Sequence, residues 1–255
     1  MSRCLAVLCV LGLALFVSSP ALGLATSEEV LKMMADKWSQ TRTMQADTAS
    51  AMRTPAGPFI STGHIITARS DEDGKPVQKL FMTMKVSMKM SVPAGGQAVT
   101  NDVKIVSDGH VVWQEVRTSA DPGVQVIKMK ADGAHALAFT PEEQLKQLKS
   151  QYDFAGISED TIDGRKMYVL EGKLQPDVVQ AQPGTAKMAS KVKYFVDQET
   201  LGFRRMMTYD ADGRETTRSD LTNLKTDQPV DPKTFEYTPP EGARVQDMTD
   251  ENVDE

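Results

Sequence analysis

Apolar and polar residues alternate along most of the chain after residue 58, and this pattern predicts antiparallel strands. Asp-Gly pairs at 73–74, 108–109, 132–133, 163–164 and 212–213 supply the positive φ angles of tight hairpin turns. The predicted strands are 59–70, 79–92, 101–107, 110–118, 124–130, 165–174, 191–197, 202–210 and 215–225. Nine strands joined by local turns are too many for a flat sheet, so we expect a strongly curved sheet or an open barrel.

The segment 27–40, SEEVLKMMADKWSQ, has helical rather than alternating spacing. Ser27 is a suitable N-terminal cap, and two glutamates follow it at the positive end of the helix. Val30, Met34 and Trp38 recur on one side. We expect this helix to continue through the region from Met44 to Met52.

A second helix is predicted from Pro141, a residue that suits a first helical turn. Leu145 and Leu148 lie on one side of it. The stretch 175–189 lacks periodicity and is expected to be a long loop. Since no Pro- or Ser-rich linker divides the chain, a single domain is predicted for residues 26–246, followed by an acidic, frayed tail at 247–255.

Residues 1–25 resemble a secretory signal peptide. Arg3 precedes an apolar run from Leu5 to Val17, which is followed by small residues and Pro20. The run is too short to span a bilayer. Both cysteines, Cys4 and Cys9, fall in this segment, and neither follows the small residue that lipid attachment requires, so the mature chain is expected to have no disulfide and no lipid anchor.

The mature chain is acidic, which argues against some classes of partner. Without Arg3, 28 basic residues stand against 35 acidic ones, a net charge of −7. With no dense Lys or Arg cluster, the chain is a poor candidate for binding nucleic acid or anionic membrane surfaces.

Motifs of catalysis or metal binding do not stand out. His64, His110 and His135 are scattered without ligand spacing, and the segment TYDADGRE (208–215) fits a hairpin turn better than a calcium loop. No nucleophile elbow, phosphate loop or dinucleotide fingerprint is present. We therefore expect a protein that is not an enzyme and needs no metal or cofactor.

Methionines concentrate on one strand, and their spacing suggests a binding surface. In 79–92 the apolar positions Met82, Met84, Val86, Met88 and Met90 alternate with mostly polar ones, so one face of the strand is apolar and flexible. Methionine also serves as plain core filler. A flexible thioether face equally suits a cavity that repacks around ligands of variable shape.

Three stretches of the chain resemble the LolA-type family of periplasmic lipoprotein carriers. KIVSDGHVVW (104–113) is similar to that family's strand–turn–strand with a following Trp, and YFVDQETLGFRR (194–205) to another of its hairpins. VDPKTFEYTPPEGARVQD (230–247) resembles its C-terminal signature. In the family an arginine after an early strand helps to hold the lid shut; the corresponding segment here contains Arg69, whose role stays open.

The resemblance implies a mainly β fold, an incomplete, strongly curved antiparallel β-barrel covered by lid helices. It also implies a monomeric periplasmic carrier that shields acyl chains of lipoproteins, with an inner-membrane ABC-type release complex and an outer-membrane acceptor as partners. The expected cavity wall is Met82, Met84, Val86, Met88, Met90, Trp113, Met129 and Phe139. The expected lid is Val30, Met34, Trp38, Leu145 and Leu148.

Three other interpretations stay open from the sequence. A regulatory, stress-sensing module of the same fold would bind lipid or a partner without shuttling it. A secreted hydrolase would need a triad or metal site. A structural envelope protein would have a filled core that takes up no ligand.

Overall fold

The computed structural model describes residues 25–54, 57–89, 98–131, 141–181 and 189–249. Most of the predicted signal peptide, Met90 and Phe139 therefore lie outside the described residues. The helices are α1 (Ser27–Gln40), α2 (Pro141–Gln151) and the short α3 (Pro176–Ala181), with one 3-10 turn at Pro232–Phe235. None of the described helices is long and apolar enough to cross a membrane.

Twelve strands form one sheet in the described part of the chain. They are β1 (Thr43–Thr54), β2 (Gly57–Glu72), β3 (Lys75–Lys89), β4 (Ala98–Ser107), β5 (Val111–Thr118), β6 (Asp121–Lys130), β7 (Tyr152–Ile162), β8 (Arg165–Leu174), β9 (Lys191–Asp197), β10 (Phe203–Tyr209), β11 (Glu215–Thr226) and β12 (Arg244–Asp247). Their order is β12-β6-β5-β4-β3-β2-β1-β11-β10-β9-β8-β7. The chain thus builds two meanders that join where β1 pairs with β11.

The sheet is curled. It is also unclosed, because its end strands β7 and β12 do not pair with each other. All pairs are antiparallel except β12 with β6. Helices α1 and α2 contact one another and the β7 end of the sheet. The predicted fold class, an incomplete curved barrel covered by helices, is confirmed.

The expected helical continuation from Met44 to Met52 is wrong, since these residues belong to β1. Met44 and Ala46 are buried while their neighbours are half-buried, which is the period of a strand. The strand as a whole contains Thr43, Thr48 and Thr54, whose branched side chains favour strands. Pairing with β2 on one side and β11 on the other satisfies its backbone on both edges.

The α1 helix begins one residue earlier than Ser27 suggested. Its cap is Thr26, whose Oγ1 accepts the Glu29 N–H at 3.2 Å while Glu29 Oε2 accepts the Thr26 N–H at 2.7 Å. This reciprocal pair is a capping box. Ser27 instead donates to the carbonyl oxygen of Gly156 at 3.0 Å, which ties the start of α1 to β7.

Four Asp-Gly pairs lie at hairpin turns as predicted; the pair at 132–133 is outside the described residues. Asp73 and Gly74 have φ of 52° and 76°, and Asp163 and Gly164 have φ of 50° and 78°. Positive φ at both positions gives the turn a twist that matches the flanking strands. β1, β7 and β12 were missed by the sequence prediction, and α3 occupies part of the expected loop.

Candidate functional site

The strand register divides the side chains of the sheet between two faces. Directly opposite residues in an antiparallel pair point to the same side, so Ile65, Met82 and Ile105 form one row. These three share a buried cluster with α1 and α2. We call the face that carries them the inner face and the opposite one the outer face.

The five predicted lid residues all lie between the helices and the inner face. They are nearly fully buried and belong to one cluster with strand residues such as Leu80 and Tyr194. Their exposed fractions are 0% for Val30, 2% for Met34, 6% for Trp38, 5% for Leu145 and 8% for Leu148. The apolar stripes of both helices therefore cover the sheet.

A cavity of about 360 Å³ lies between α2 and the inner face of β1, β11, β10 and β9. This volume falls in the range of small-ligand pockets. The apolar side chains that line it come from α2 and from strands β7, β9, β10 and β11: Leu148, Tyr152, Tyr194, Phe203, Met206 and Leu221. The helix stripe and the curled sheet thus leave a hollow between them.

The polar part of the lining is mostly hydroxyl groups. Thr48, Ser50, Thr208 and Ser219 face the cavity together with two glutamines of α2. Ser50 Oγ donates to Ser219 Oγ at 2.8 Å across the β1–β11 pair. Among the lining residues described there is no Lys or Arg, and Asp220 is the one charged residue, so the wall is mainly apolar with hydroxyl and amide groups.

Tyr194 contributes a phenol to this wall. The residue is 6% exposed, and its ring stacks on Phe203 with centroids 4.5 Å apart. Burial raises the pKa of its phenol far above the usual value. By contrast, the hydroxyl of Tyr152 donates to the carbonyl oxygen of Ala189 at 3.3 Å.

Arg69 connects β2 to the C-terminal end of α1. Its guanidinium donates to the carbonyl oxygen of Ser39 at 2.7 Å, and its backbone N–H donates to the Arg42 carbonyl at 2.7 Å. The last carbonyls of a helix have no intrahelical partner, and a cation there also favours the negative end of the helix dipole. Arg69 therefore fastens the covering helix to the sheet.

The predicted methionine wall lies on the inner face but beside the cavity rather than in it. Met82 and Val86 are each 8% exposed, while Met84, Met88 and Met129 are half-buried. Met82 belongs to the core cluster, and Met84 and Met129 pack against it. The cavity lies over the other half of the sheet. A ligand-binding role for these five residues stays a prediction.

The expected position of Trp113 in the cavity wall is corrected by the structure. Trp113 pairs with Val106, which pairs with Phe81, so all three lie on the outer face. Its ring lies 5.5 Å from the ring of Tyr237, and Lys128 Nζ is 5.5 Å from its centroid. Val112 and Trp113 are adjacent and both apolar, so alternation alone could not show which of them points inward.

The C-terminal motif covers the outer face. Phe235 is 5% exposed, and the Tyr237 hydroxyl donates to Glu115 Oε2 at 2.7 Å. Burial alone would raise the pKa of Glu115, but the hydrogen bonds from Tyr237 and Arg117 outweigh it and lower the pKa. The chain then adds β12 beside β6. The motif thus stabilises the sheet from the side opposite the cavity.

The hairpin 194–205 is organised around Asp197, which is 1% exposed. Its carboxylate accepts the N–H groups of Glu199 at 3.0 Å and Thr200 at 2.9 Å, and the guanidinium of Arg165. Leu201, in the same bend, has a φ of 55°. Burial alone would raise the pKa of Asp197, but these donors outweigh it and hold the pKa well below its usual range. The motif therefore fixes the turn that brings Phe203 to the cavity.

Two recesses outside the inner face are larger but shallow and charged. One, of about 430 Å³, lies over β2–β5 and is lined by groups such as Lys85, Asp102 and Arg117. The other, of about 530 Å³, surrounds Arg165 and Glu199. Neither has the apolar enclosure of the inner cavity.

Of the histidines, His135 lies outside the described residues and the other two contact acids. His64 Nδ1 lies 2.7 Å from Asp47 Oδ1, and His110 Nε2 lies 3.0 Å from Glu72 Oε2. Asn223 also donates to Asp47, at 2.6 Å. Among the described residues, no group of three or more His, Cys, Asp or Glu is arranged to hold a metal ion.

Sequence reasoning missed the cavity residues on β9–β11. Tyr194 lies in a strand, KVKYFVD, whose outer face carries two lysines and an aspartate but also the apolar Phe195, which is buried in a separate outer cluster with Met167 and Val169. Met206 likewise has an apolar outer neighbour in Met207. β9–β11 carry no run of alternating methionines like that of β3, so sequence reasoning did not single out their cavity residues.

Comparison with known proteins gives only distant similarity. No protein-family model matches the chain. An uncharacterized protein of Methanocaldococcus jannaschii is 24% identical over 237 residues, which cover 90% of this chain and 57% of that protein. The chain thus spans a little over half the length of this curated relative.

Several solved structures are similar over most of the chain. A LolA superfamily protein of Nitrosomonas europaea is 15% identical, with 84% of this chain and 98% of that one covered and a TM-score of 0.28. A putative outer membrane lipoprotein-sorting protein domain of Vibrio parahaemolyticus is 11% identical (81% and 94% covered, TM-score 0.33). MucB in its Pseudomonas aeruginosa complex with MucA is 15% identical (82% and 60% covered, TM-score 0.42).

The architecture itself agrees with what the sequence resemblance predicted. Twelve strands form one unclosed, curled sheet, and α1 and α2 cover its inner face. The cavity lies between the sheet and α2. The incomplete, curved sheet with covering helices is the architecture that the resemblance implied.

Proposed function

We propose that this protein is a non-catalytic carrier that binds acyl chains of a lipoprotein, or of a related amphiphile, between α2 and the inner face. The observation that carries the proposal is the cavity of about 360 Å³ lined by Leu148, Phe203, Met206 and Leu221. A mainly apolar hollow with a few polar groups is the usual form of a small-ligand site.

The energy available from such a site is sufficient for a carrier. Burial of a methylene yields about 0.8 kcal/mol, so a chain of roughly sixteen carbons offers on the order of 10 kcal/mol before losses. Part of this gain is offset, because α2 must part from the sheet to admit the ligand and in doing so exposes Leu145 and Leu148, which are 5% and 8% exposed in the closed form. The competition between lid closure and ligand burial keeps release feasible.

The site of action in this proposal is the periplasm. The carrier accepts its acylated cargo at an inner-membrane ABC-type release complex and delivers it to an outer-membrane acceptor. The acidic mature chain, at −7, would not remain adsorbed to anionic lipid between these steps. Neither cofactor nor metal enters the mechanism.

The test is mass spectrometry of lipids that co-purify with the protein under native conditions, combined with a cavity-filling variant. Ser219→Phe places a ring in the hollow, whereas Thr222→Phe adds the same ring at an exposed position of the same strand. We expect acyl species on the wild type and on Thr222→Phe, and a loss of most of them on Ser219→Phe.

Two results would contradict the proposal. Wild-type protein that carries no acyl species and takes up no hydrophobic dye has a filled core, as a structural envelope protein would. Acyl species that stay bound but never transfer between donor and acceptor vesicles identify a regulatory lipid-binding module instead of a carrier.

A further inference from the structure

Tyr194 holds a hydrogen-bond donor in the cavity wall that the protein itself does not use. The residue is 6% exposed, and its hydroxyl has no hydrogen-bond partner in the described part of the chain. The hydroxyl oxygen itself is not fully buried, so its donor is open to a molecule in the cavity, which can supply the missing partner. The stack on Phe203 prevents the ring from turning away freely.

The other polar groups of the wall lie at the same level of the sheet. Tyr194 is opposite Met206, Met206 is opposite Ser219, and Ser219 is opposite Ser50. Adjacent strands are about 4.8 Å apart, so this row brings the phenol and the Ser50–Ser219 hydroxyl pair to one band of the cavity. Apolar side chains such as Leu148 and Leu221 flank the band.

A negative charge at this band would have no counter-ion. The only charged lining residue described is Asp220. It follows Ser219 along β11, so its side chain points to the outer face, where its Oδ1 accepts from Arg205 Nε at 2.5 Å. Lys193, on the same strand as Tyr194, lies on the outer face and binds Glu171 at 2.8 Å. An unpaired buried carboxylate is strongly unfavourable.

From this arrangement we propose that the cavity selects acyl chains attached through an uncharged carbonyl over free fatty acids, with the Tyr194 hydroxyl donating to the carbonyl oxygen of the ligand. The proposal rests on the function proposed above and names its substrate class. Because burial raises the pKa of the phenol, Tyr194 keeps its proton and remains a donor across the physiological range.

The experiment is displacement of a bound uncharged dye, N-phenyl-1-naphthylamine, by 1-monopalmitoylglycerol or by palmitate at a pH at which palmitate is ionised. We expect the glyceride to compete at roughly tenfold lower concentration than palmitate. Tyr194→Phe removes only the hydroxyl, and we expect it to weaken glyceride binding by about three- to tenfold while leaving dye and palmitate binding unchanged.

The control variant is Tyr209→Phe, on neighbouring β10, whose hydroxyl donates to Met207 Sδ on the outer face; it should alter none of the affinities. Equal competition by palmitate and glyceride in the wild type overturns the proposal without any variant. If folded Tyr194→Phe binds the glyceride with unchanged affinity, the Tyr194 hydroxyl does not donate to the ligand carbonyl. If the wild type does not bind even the dye, the carrier function fails and this inference fails with it.

Discussion

The rings of Tyr194 and Phe203 stack in the wall of the inner cavity, with centroids 4.5 Å apart and planes inclined by 12°. The two residues are on adjacent strands, and the turn held by Asp197 lies between them. The stack fixes the direction of the only tyrosine ring in the described wall whose hydroxyl lacks a partner.

Phe203→Leu should therefore lower both stability and ligand affinity. An aromatic pair contributes about 0.5–1.5 kcal/mol beyond its buried area, and its loss frees the Tyr194 ring to leave its bound direction. Denaturant unfolding measures the first effect and dye titration the second. Phe195→Leu, on the outer face of β9, is the matched control and should lower stability alone. Equal affinity loss in both variants would contradict the assignment.

Trp113→Ala should destabilise the protein without weakening dye binding. The indole packs on Tyr237 at the outer face, so its removal is expected to lower the free energy of unfolding by about 1–3 kcal/mol. Leu221→Ala enlarges the cavity and removes apolar contact, and should weaken dye binding. A loss of affinity in Trp113→Ala as large as that in Leu221→Ala would place the tryptophan in the binding wall after all.

Arg69→Ala should loosen the end of α1. Loss of the 2.7 Å hydrogen bond to the Ser39 carbonyl leaves a helix-terminal acceptor to water, at a cost of about 0.5–1.5 kcal/mol. Amide hydrogen exchange in the last turns of α1 should then be roughly two- to tenfold faster, and dye should dissociate faster. Arg42→Ala is the control, because that side chain is 73% exposed. Unchanged exchange would show that Arg69 does not hold the helix.

Asp197→Asn should lower the free energy of unfolding at neutral pH and should make that free energy depend less on pH in the acid range. The Asp197 side chain is 1% exposed but that of its partner Arg165 is 40% exposed, so we expect a loss of about 2–3 kcal/mol, below the value for a fully buried pair. The pKa of Asp197 is lowered on folding, so its contribution is complete above the unfolded pKa of about 3.9 and is lost as pH falls below that value.

Urea unfolding of both proteins across this acid range measures the effect. The difference in stability between wild type and Asp197→Asn should shrink steadily as pH falls below about 4. Asp212→Asn, a change at an exposed turn carboxylate, should follow the wild type. A difference that stays constant with pH would mean that the Asp197 carboxylate is not held ionised by its partners.

Strands and turns could be predicted from the sequence where a segment has a clear side-chain periodicity or a turn that requires particular residues. Strand β3 alternates Met82 and Met84 with mostly polar neighbours, and the Asp-Gly pair at 73–74 favours positive φ, so both could be identified from the sequence. The segment after α1 was misread as helix. It is a strand because it pairs with β2 on one side and, on the other, with β11, which is more than 150 residues away in the sequence.

The amino-acid sequence by itself determined most strands of both meanders, though not β1 or β7, together with the two covering helices and the apolar stripe of each. It did so because side-chain periodicity and turn chemistry act within a few residues. Only the tertiary structure decided which face of an apolar strand meets the helices and where the hollow remains. That choice depends on the curl of the sheet and on the packing of α2 against β1 and β9–β11, so Trp113 lies outside and Tyr194 lines the cavity.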